Sequence, residues 1–86
     1  MSEIREVKSA LFAAASLIDE TSQLAYAVSR DLDETRQQLF RVLADSEAPQ
    51  VAHAHQVAAH AVECAATIVH ALQEAAAVAR YRAATL

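Results

Sequence analysis

The 86-residue sequence has no glycine and no tryptophan, and it contains only one proline and one cysteine. Without glycine the chain lacks the residue that most readily adopts positive φ, which disfavours phosphate-binding glycine loops and tight hairpin turns. A single cysteine excludes an intrachain disulfide and a zinc module built on several cysteines. The net charge of −4 argues against nucleic-acid binding, which usually requires a basic surface. The length allows one domain.

Targeting signals are also missing from the sequence. Glu3 and Glu6 lie where a signal peptide would have a basic region followed by an apolar core. No uninterrupted apolar run reaches the roughly 18–20 residues needed to cross a bilayer, because histidines interrupt the second half. We therefore expect a cytoplasmic protein with no membrane insertion, with leaderless export as the alternative.

Apolar residues in the first half recur at alternating steps of three and four, the heptad pattern of a coiled-coil helix. Ten of the twelve positions in this row are apolar. The row consists of Ile4, Val7, Leu11, Ala14, Ile18, Thr21, Ala25, Val28, Leu32, Thr35, Leu39 and Val42. The alternation of period two that is typical of strands is not sustained. The pattern predicts one helix over about 3–44, which would be about 60 Å long.

A break follows this first helix. Asp45, Ser46 and Glu47 precede the only proline, Pro49, and proline is tolerated in the first turn of a helix but not in its interior. We predict a turn at about 45–48 and a second helix over about 49–83. The predicted fold class is all-α, a two-helix antiparallel hairpin that forms a single domain over residues 1–86.

The apolar surface of both helices exceeds what a single partner helix covers. Residues 48–86 contain 15 alanines, and their larger apolar side chains point to more than one side. In the first helix, three aromatic residues spaced fourteen apart form a stripe beside the heptad row. We expect dimerisation into a four-helix bundle, with a second copy, a similar hairpin or a larger helical protein as partner; the alternative is a monomer of three shorter helices. The predicted interface residues are Leu11, Phe12, Ile18, Tyr26, Val28, Leu32, Leu39, Phe40, Ile68 and Leu72.

A row of histidine and glutamate side chains on the second helix raises an alternative function. His60 with Glu63, and His70 with Glu74, are spaced so that each pair can direct two ligand atoms at zinc or iron. Di-metal bundles use the reverse order, Glu-x-x-His, and His60 and His70 lie about 15 Å apart along the axis. We interpret the row as a solvated stripe and expect no cofactor, with a metal-binding bundle as the alternative.

Two further groups suggest a regulator that responds to pH or to redox state. We expect His55 to pack with one nitrogen hydrogen-bonded, and histidine titrates near neutrality. Cys64 shares its spacing with Val57, Ala61 and Ile68, which predicts a buried, inert thiol; an intermolecular disulfide is the alternative. The acidic residues are interpreted as a solvated face, so no residue is assigned a catalytic role and we expect no enzyme.

A short alanine-rich hairpin with heptads in both arms and acidic residues in the first resembles the small helical-hairpin proteins of type VII (ESX) secretion. The resemblance covers the full length and lies in architecture. The turn Asp45–Pro49 stands where that family has Trp-x-Gly, and Tyr81 is followed four residues later by Thr85, where the family's export signal has an acid. The resemblance implies a small pairing partner for a larger helical protein. We expect a non-enzymatic interaction module that acts as adaptor, secretion partner or small chaperone.

Overall fold

A computed structural model describes residues 2–86 as two α-helices joined by a short turn. Helix α1 spans Ser2–Val42 and helix α2 spans Pro49–Thr85. The first helix thus ends two residues before the expected position, and the second continues two residues beyond it. The described residues contain no strand. The fold is the all-α helical hairpin that the sequence predicts.

The turn is closed by backbone hydrogen bonds and by the proline that starts α2. The Ser46 amide donates to the Leu43 carbonyl at 3.0 Å, and the Ala48 amide donates to the Ser46 hydroxyl oxygen at 3.4 Å. Ala48 is extended, with φ −62° and ψ 135°, as expected of a residue that precedes proline. Pro49 occupies the start of the helix, where its missing N–H costs no intrahelical bond.

Two contacts between the helices define their antiparallel arrangement. Near the turn, the rings of Phe40 and His55 pack with centroids 5.3 Å apart and planes tilted by 50°. Near the open end, the Arg80 guanidinium donates a hydrogen bond to the Asp19 carboxylate. The hairpin is a rod of 67 × 15 × 13 Å.

The most buried side chains between the helices are small. Ala15 and Ser22 of α1 are 0% and 7% exposed, while Ala76 and Ala83 of α2 are 2% and 1% exposed. The register set by the two contacts above places Ala15 level with Ala83, and Ser22 level with Ala76, to within one helical turn. Buried and half-buried residues follow the three-and-four spacing on both helices. This contact row is Leu11, Ala15, Ile18, Ser22, Ala25, Ser29 and Leu32 on α1, and Val51, His55, Ala58, Val62, Ala65, Val69, Leu72, Ala76, Ala79 and Ala83 on α2.

The contact row of α1 differs from the apolar row that the sequence suggests. Both rows contain Leu11, Ile18 and Leu32, but every second position is displaced by one residue toward the C-terminus. Ser29 therefore takes the place of Val28, which is left 55% exposed. Small side chains allow helix axes to approach to about 8 Å, the lower end of the usual range, whereas Thr21 and Val28 would hold them further apart than Ser22 and Ser29 do.

Close approach makes the contact row sensitive to added volume. Ala76→Leu should lower the free energy of unfolding by about 1–3 kcal/mol, because the extra carbons have no room between the helices. Ala77→Leu is the matched control, since Ala77 is the next residue and is exposed. Urea unfolding followed by circular dichroism at one protein concentration measures both. Equal stabilities of the two variants would contradict the close packing.

Candidate interaction surface

The hairpin exposes much more surface than a compact protein of its mass. Its accessible surface is 6545 Å², whereas a folded monomer of 9.2 kDa exposes about 4,900 Å². Its radius of gyration is 19.4 Å, against about 12 Å for a compact domain of this length. Many large apolar side chains contribute to this excess, and they lie on two sides of the rod.

One side carries the aromatic residues of α1. Phe12, Tyr26 and Phe40 are 47%, 62% and 59% exposed. They are spaced fourteen residues apart in step with Asp19, so they line the same edge as the Asp19–Arg80 contact. Phe40 also lines a shallow depression beside the turn together with His55 of α2. We call this side of the hairpin, formed by Phe12, Asp19, Tyr26 and Phe40 of α1 and by Arg80 of α2, the aromatic flank.

The opposite side carries aliphatic residues from both helices. On α1, Leu17 and Leu24 are 64% and 69% exposed. On α2, Ile68 and Val78 are 54% and 66% exposed. We call this side the aliphatic face. Its members are Val7, Ala14, Leu17, Thr21, Leu24 and Val28 of α1, and Val57, Ala61, Cys64, Ile68, Ala71, Ala75 and Val78 of α2.

The structure distributes the predicted interface residues over three places. Half-buried between the helices are Leu11, Ile18, Leu32 and Leu72. Leu39 belongs to the same row near the turn and is 36% exposed. Val28 and Ile68 lie on the aliphatic face, and Phe12, Tyr26 and Phe40 lie on the aromatic flank.

Four prominent members of the aliphatic face are absent from the predicted interface. Leu17, Leu24, Val57 and Val78 are each at least 55% exposed. The signal that could have found them is a second three-and-four row on each helix. On α1, Val7 and Val28 of this second row also fit the heptad row predicted from the sequence. A search for a single row therefore includes these valines and omits Leu17 and Leu24.

The histidine and glutamate row lies on the outer surface of α2. His70 and Glu74 are 76% and 73% exposed, and Nε2 of the histidine is 3.8 Å from Oε1 of the glutamate. His60 and Glu63 line an open depression that also includes Cys64. Within residues 2–86, no three histidine, cysteine, aspartate or glutamate side chains are grouped so that they could hold a metal ion together.

The expectation of a buried thiol is wrong for the hairpin, because Cys64 is exposed. Its position on the aliphatic face points it away from α1, and its sulfur lies 3.5 Å from Nε2 of His60 on the neighbouring turn. His55 is half-buried against Phe40, as its place in the contact row requires. The Nδ1 atom of that ring is buried and has no hydrogen-bond partner among the described residues.

The Asp19–Arg80 pair is the principal electrostatic feature between the helices. The hydrogen bond from Arg80 holds the pKa of the Asp19 carboxyl below its ordinary value, and the same bond raises the pKa of Arg80. Both side chains are nearly half exposed, so solvent screens their attraction. The pair therefore marks the register of the helices and contributes little to the stability of the fold.

The apolar character of α2 also satisfies the length and composition of a membrane span, although only 11% of its most apolar 18-residue window is buried in the hairpin. Core helices of soluble proteins pass the same test, but they are mostly buried, whereas this window of α2 is not. Comparison with known proteins finds no matching family model, no matching curated protein and no matching solved structure. The proposals below therefore depend on the geometry of this chain alone.

Removing the interhelical ion pair should make the stability of the hairpin change less with pH in the acidic range. Asp19→Asn should lower the melting temperature slightly at neutral pH, because an exposed pair contributes little. That difference should be present above the ordinary aspartate pKa of about 3.9 and be lost as the pH falls through the lowered pKa of Asp19.

The neighbouring Glu20→Gln, an exposed change without the interhelical contact, is the control for loss of one negative charge. Melting curves of the three proteins between pH 2 and pH 7 give the comparison. A difference between wild type and Asp19→Asn that persists at pH 2 would contradict the pairing.

Proposed function

We propose that this chain is a non-enzymatic protein-interaction module, a helical hairpin that self-associates into a four-helix bundle. In the cell it acts as an adaptor, a secretion partner or a small chaperone for a larger helical protein. The observation that carries the proposal is the excess of about 1,600 Å² of accessible surface over a compact protein of this mass. Fifteen large apolar side chains of the described residues are exposed, and contiguous exposed apolar patches are typical of a protein that binds a partner.

The position of the excess supports association through helix packing. The exposed leucine, isoleucine and valine side chains lie in straight rows along the rod and not in a concave pocket. Rows at three-and-four spacing pack into the grooves of another helix, as in four-helix bundles. A partner that is itself helical therefore fits this surface better than a small ligand does.

Lipid is the competing partner for the same surface. The polar row of α2 argues against it, because His60, Glu63, His70 and Glu74 would face hydrocarbon on at least one side of a lone membrane-spanning helix. A surface-lying membrane helix usually has a basic polar face, whereas α2 carries only Arg80 and Arg82, both near its end.

Sedimentation equilibrium at micromolar concentration tests the proposal. The wild-type chain should have twice its own mass of 9.2 kDa. Leu32→Asp should abolish assembly and reduce helicity, since Leu32 is half-buried in the contact row and an unpaired buried charge is costly.

Gln38→Asp is the control, because it adds the same side chain at an exposed position one turn and a half further along α1. It should assemble like the wild type. A well-folded wild-type chain that sediments at 9.2 kDa would overturn the proposal. A folded Leu32→Asp variant at the assembled mass would contradict the position of Leu32 between the packed helices.

A further inference from the structure

We infer that the aliphatic face is the surface on which a second copy of this chain packs, and that the aromatic flank is not. The inference rests on the self-association proposed above and assigns it to one side of the hairpin. It follows from three observations, namely the position of the two helical rows, the distribution of charge and the extent of exposed surface.

The rows of α1 and α2 that form the aliphatic face lie on the same side of the hairpin. On α1, Asp19 follows the contact residue Ile18, whereas Val28 precedes the contact residue Ser29. A helix turns by about 100° per residue, so these two positions lie on opposite flanks of the contact row. On α2, Arg80 follows the contact residue Ala79 and Ile68 precedes the contact residue Val69. Arg80 and Ile68 therefore also lie on opposite flanks of their contact row.

The ion pair then fixes how the flanks of the two helices meet. Asp19 contacts Arg80, so the flank of α1 that carries Asp19 adjoins the flank of α2 that carries Arg80. The two remaining flanks, which carry Val28 and Ile68, must adjoin each other on the other side of the rod. The aliphatic residues of the two helices therefore lie on the same side of the rod, and they are level with each other over about residues 20–28 of α1 and 70–78 of α2.

Charge separates the two sides. On α1, the aliphatic row from Val7 to Val28 contains no charged side chain and is about 32 Å long. On α2, the row from Val57 to Val78 is also uncharged over a similar length. The aromatic flank, by contrast, contains the charged side chain of Asp19 and the Arg80 guanidinium that pairs with it. The rows themselves thus contain no charge to desolvate, and their spacing reaches charged residues, Asp31 on α1 and Arg82 on α2, only beyond their ends.

A second copy is the partner that matches this face. A two-fold dimer brings the same patch of both protomers together, and an uncharged patch opposes no like charges despite the net charge of −4. Obligate dimer interfaces bury roughly 2,000–5,000 Å² shared between two protomers, and the excess accessible surface of about 1,600 Å² per chain, counted over all sides of the hairpin, is of that order. On α2, two small residues lie between each successive pair of the large residues Val57, Ile68 and Val78, which leaves room for large side chains of another helix.

Cys64 provides a native reporter of the assignment, because it is exposed in the single hairpin and lies within the aliphatic face. Its reaction with a colourless aromatic disulfide reagent is followed by absorbance on either side of the concentration at which the chain assembles. The comparison protein is Cys64→Ser with Gln56→Cys, which moves the thiol to the exposed polar row of α2. In the assembled wild type, Cys64 should react at least about tenfold more slowly than the cysteine at position 56, because reaction requires the interface to open.

A pair of adjacent substitutions provides an independent test. Leu24→Asp places a charge on the aliphatic face, and Gln23→Asp places the same side chain one residue away on the outer surface. The first variant should be a single chain in which the reactivity of Cys64 is restored, and the second should assemble and protect Cys64 as the wild type does. The measurement on the unmodified chain remains decisive if Leu24→Asp does not fold.

The outcomes separate this inference from the proposed function. An assembled wild type whose Cys64 reacts as fast as the thiol at position 56 would overturn the assignment while leaving self-association intact, and would place the partner on the aromatic flank. A chain that stays single at all concentrations would overturn both. Protection that appears only when phosphatidylcholine vesicles are added would assign the face to lipid and overturn the second copy as its partner.

Discussion

The close packing of small side chains between α1 and α2 is the constraint on which the rest of the structure depends. Alanine and serine at Ala15, Ser22, Ala76 and Ala83 let the two backbones approach along the rod. A pair of helices has only one mutual interface. Since small residues occupy much of it, many of the larger aliphatic and aromatic residues lie outside, and the hairpin is left with apolar surface that its own chain does not cover.

The helices and the turn could be predicted from the sequence because their causes are local. The heptad spacing and the absence of glycine favour long helices, and Pro49 can stand only at a helix start. The contact row could not be predicted in the same way. Two rows overlap on α1 and share Leu11, Ile18 and Leu32, and hydrophobicity favours the row with Val28 over the row with Ser29. The structure uses the row with Ser29 because its small side chains let the two helices pack closely. Hydrophobic periodicity does not report the distance between helices.

The Asp19–Arg80 pair and Cys64 help to distinguish the two sides of the hairpin. The pair formed by Asp19 and Arg80 depresses the pKa of the carboxyl and marks one flank of the contact, from which the location of the opposite face follows. Cys64 was predicted to be buried from its apolar neighbours along the helix. It is exposed in the single hairpin because those neighbours form a row that α1 does not contact. In the proposed assembly a second copy would cover this thiol, and the periodicity of a single helix does not reveal such a contact.

The central claim is that the hairpin reaches its stable state only when a second copy covers its exposed apolar surface. Thermal unfolding followed by circular dichroism over about a hundredfold range of protein concentration tests it most directly, because only coupled dissociation makes the midpoint depend on concentration. We predict a single transition whose midpoint rises steadily with concentration. A midpoint that stays constant across the range would mean that the single hairpin is stably folded without a second copy, and would contradict the account.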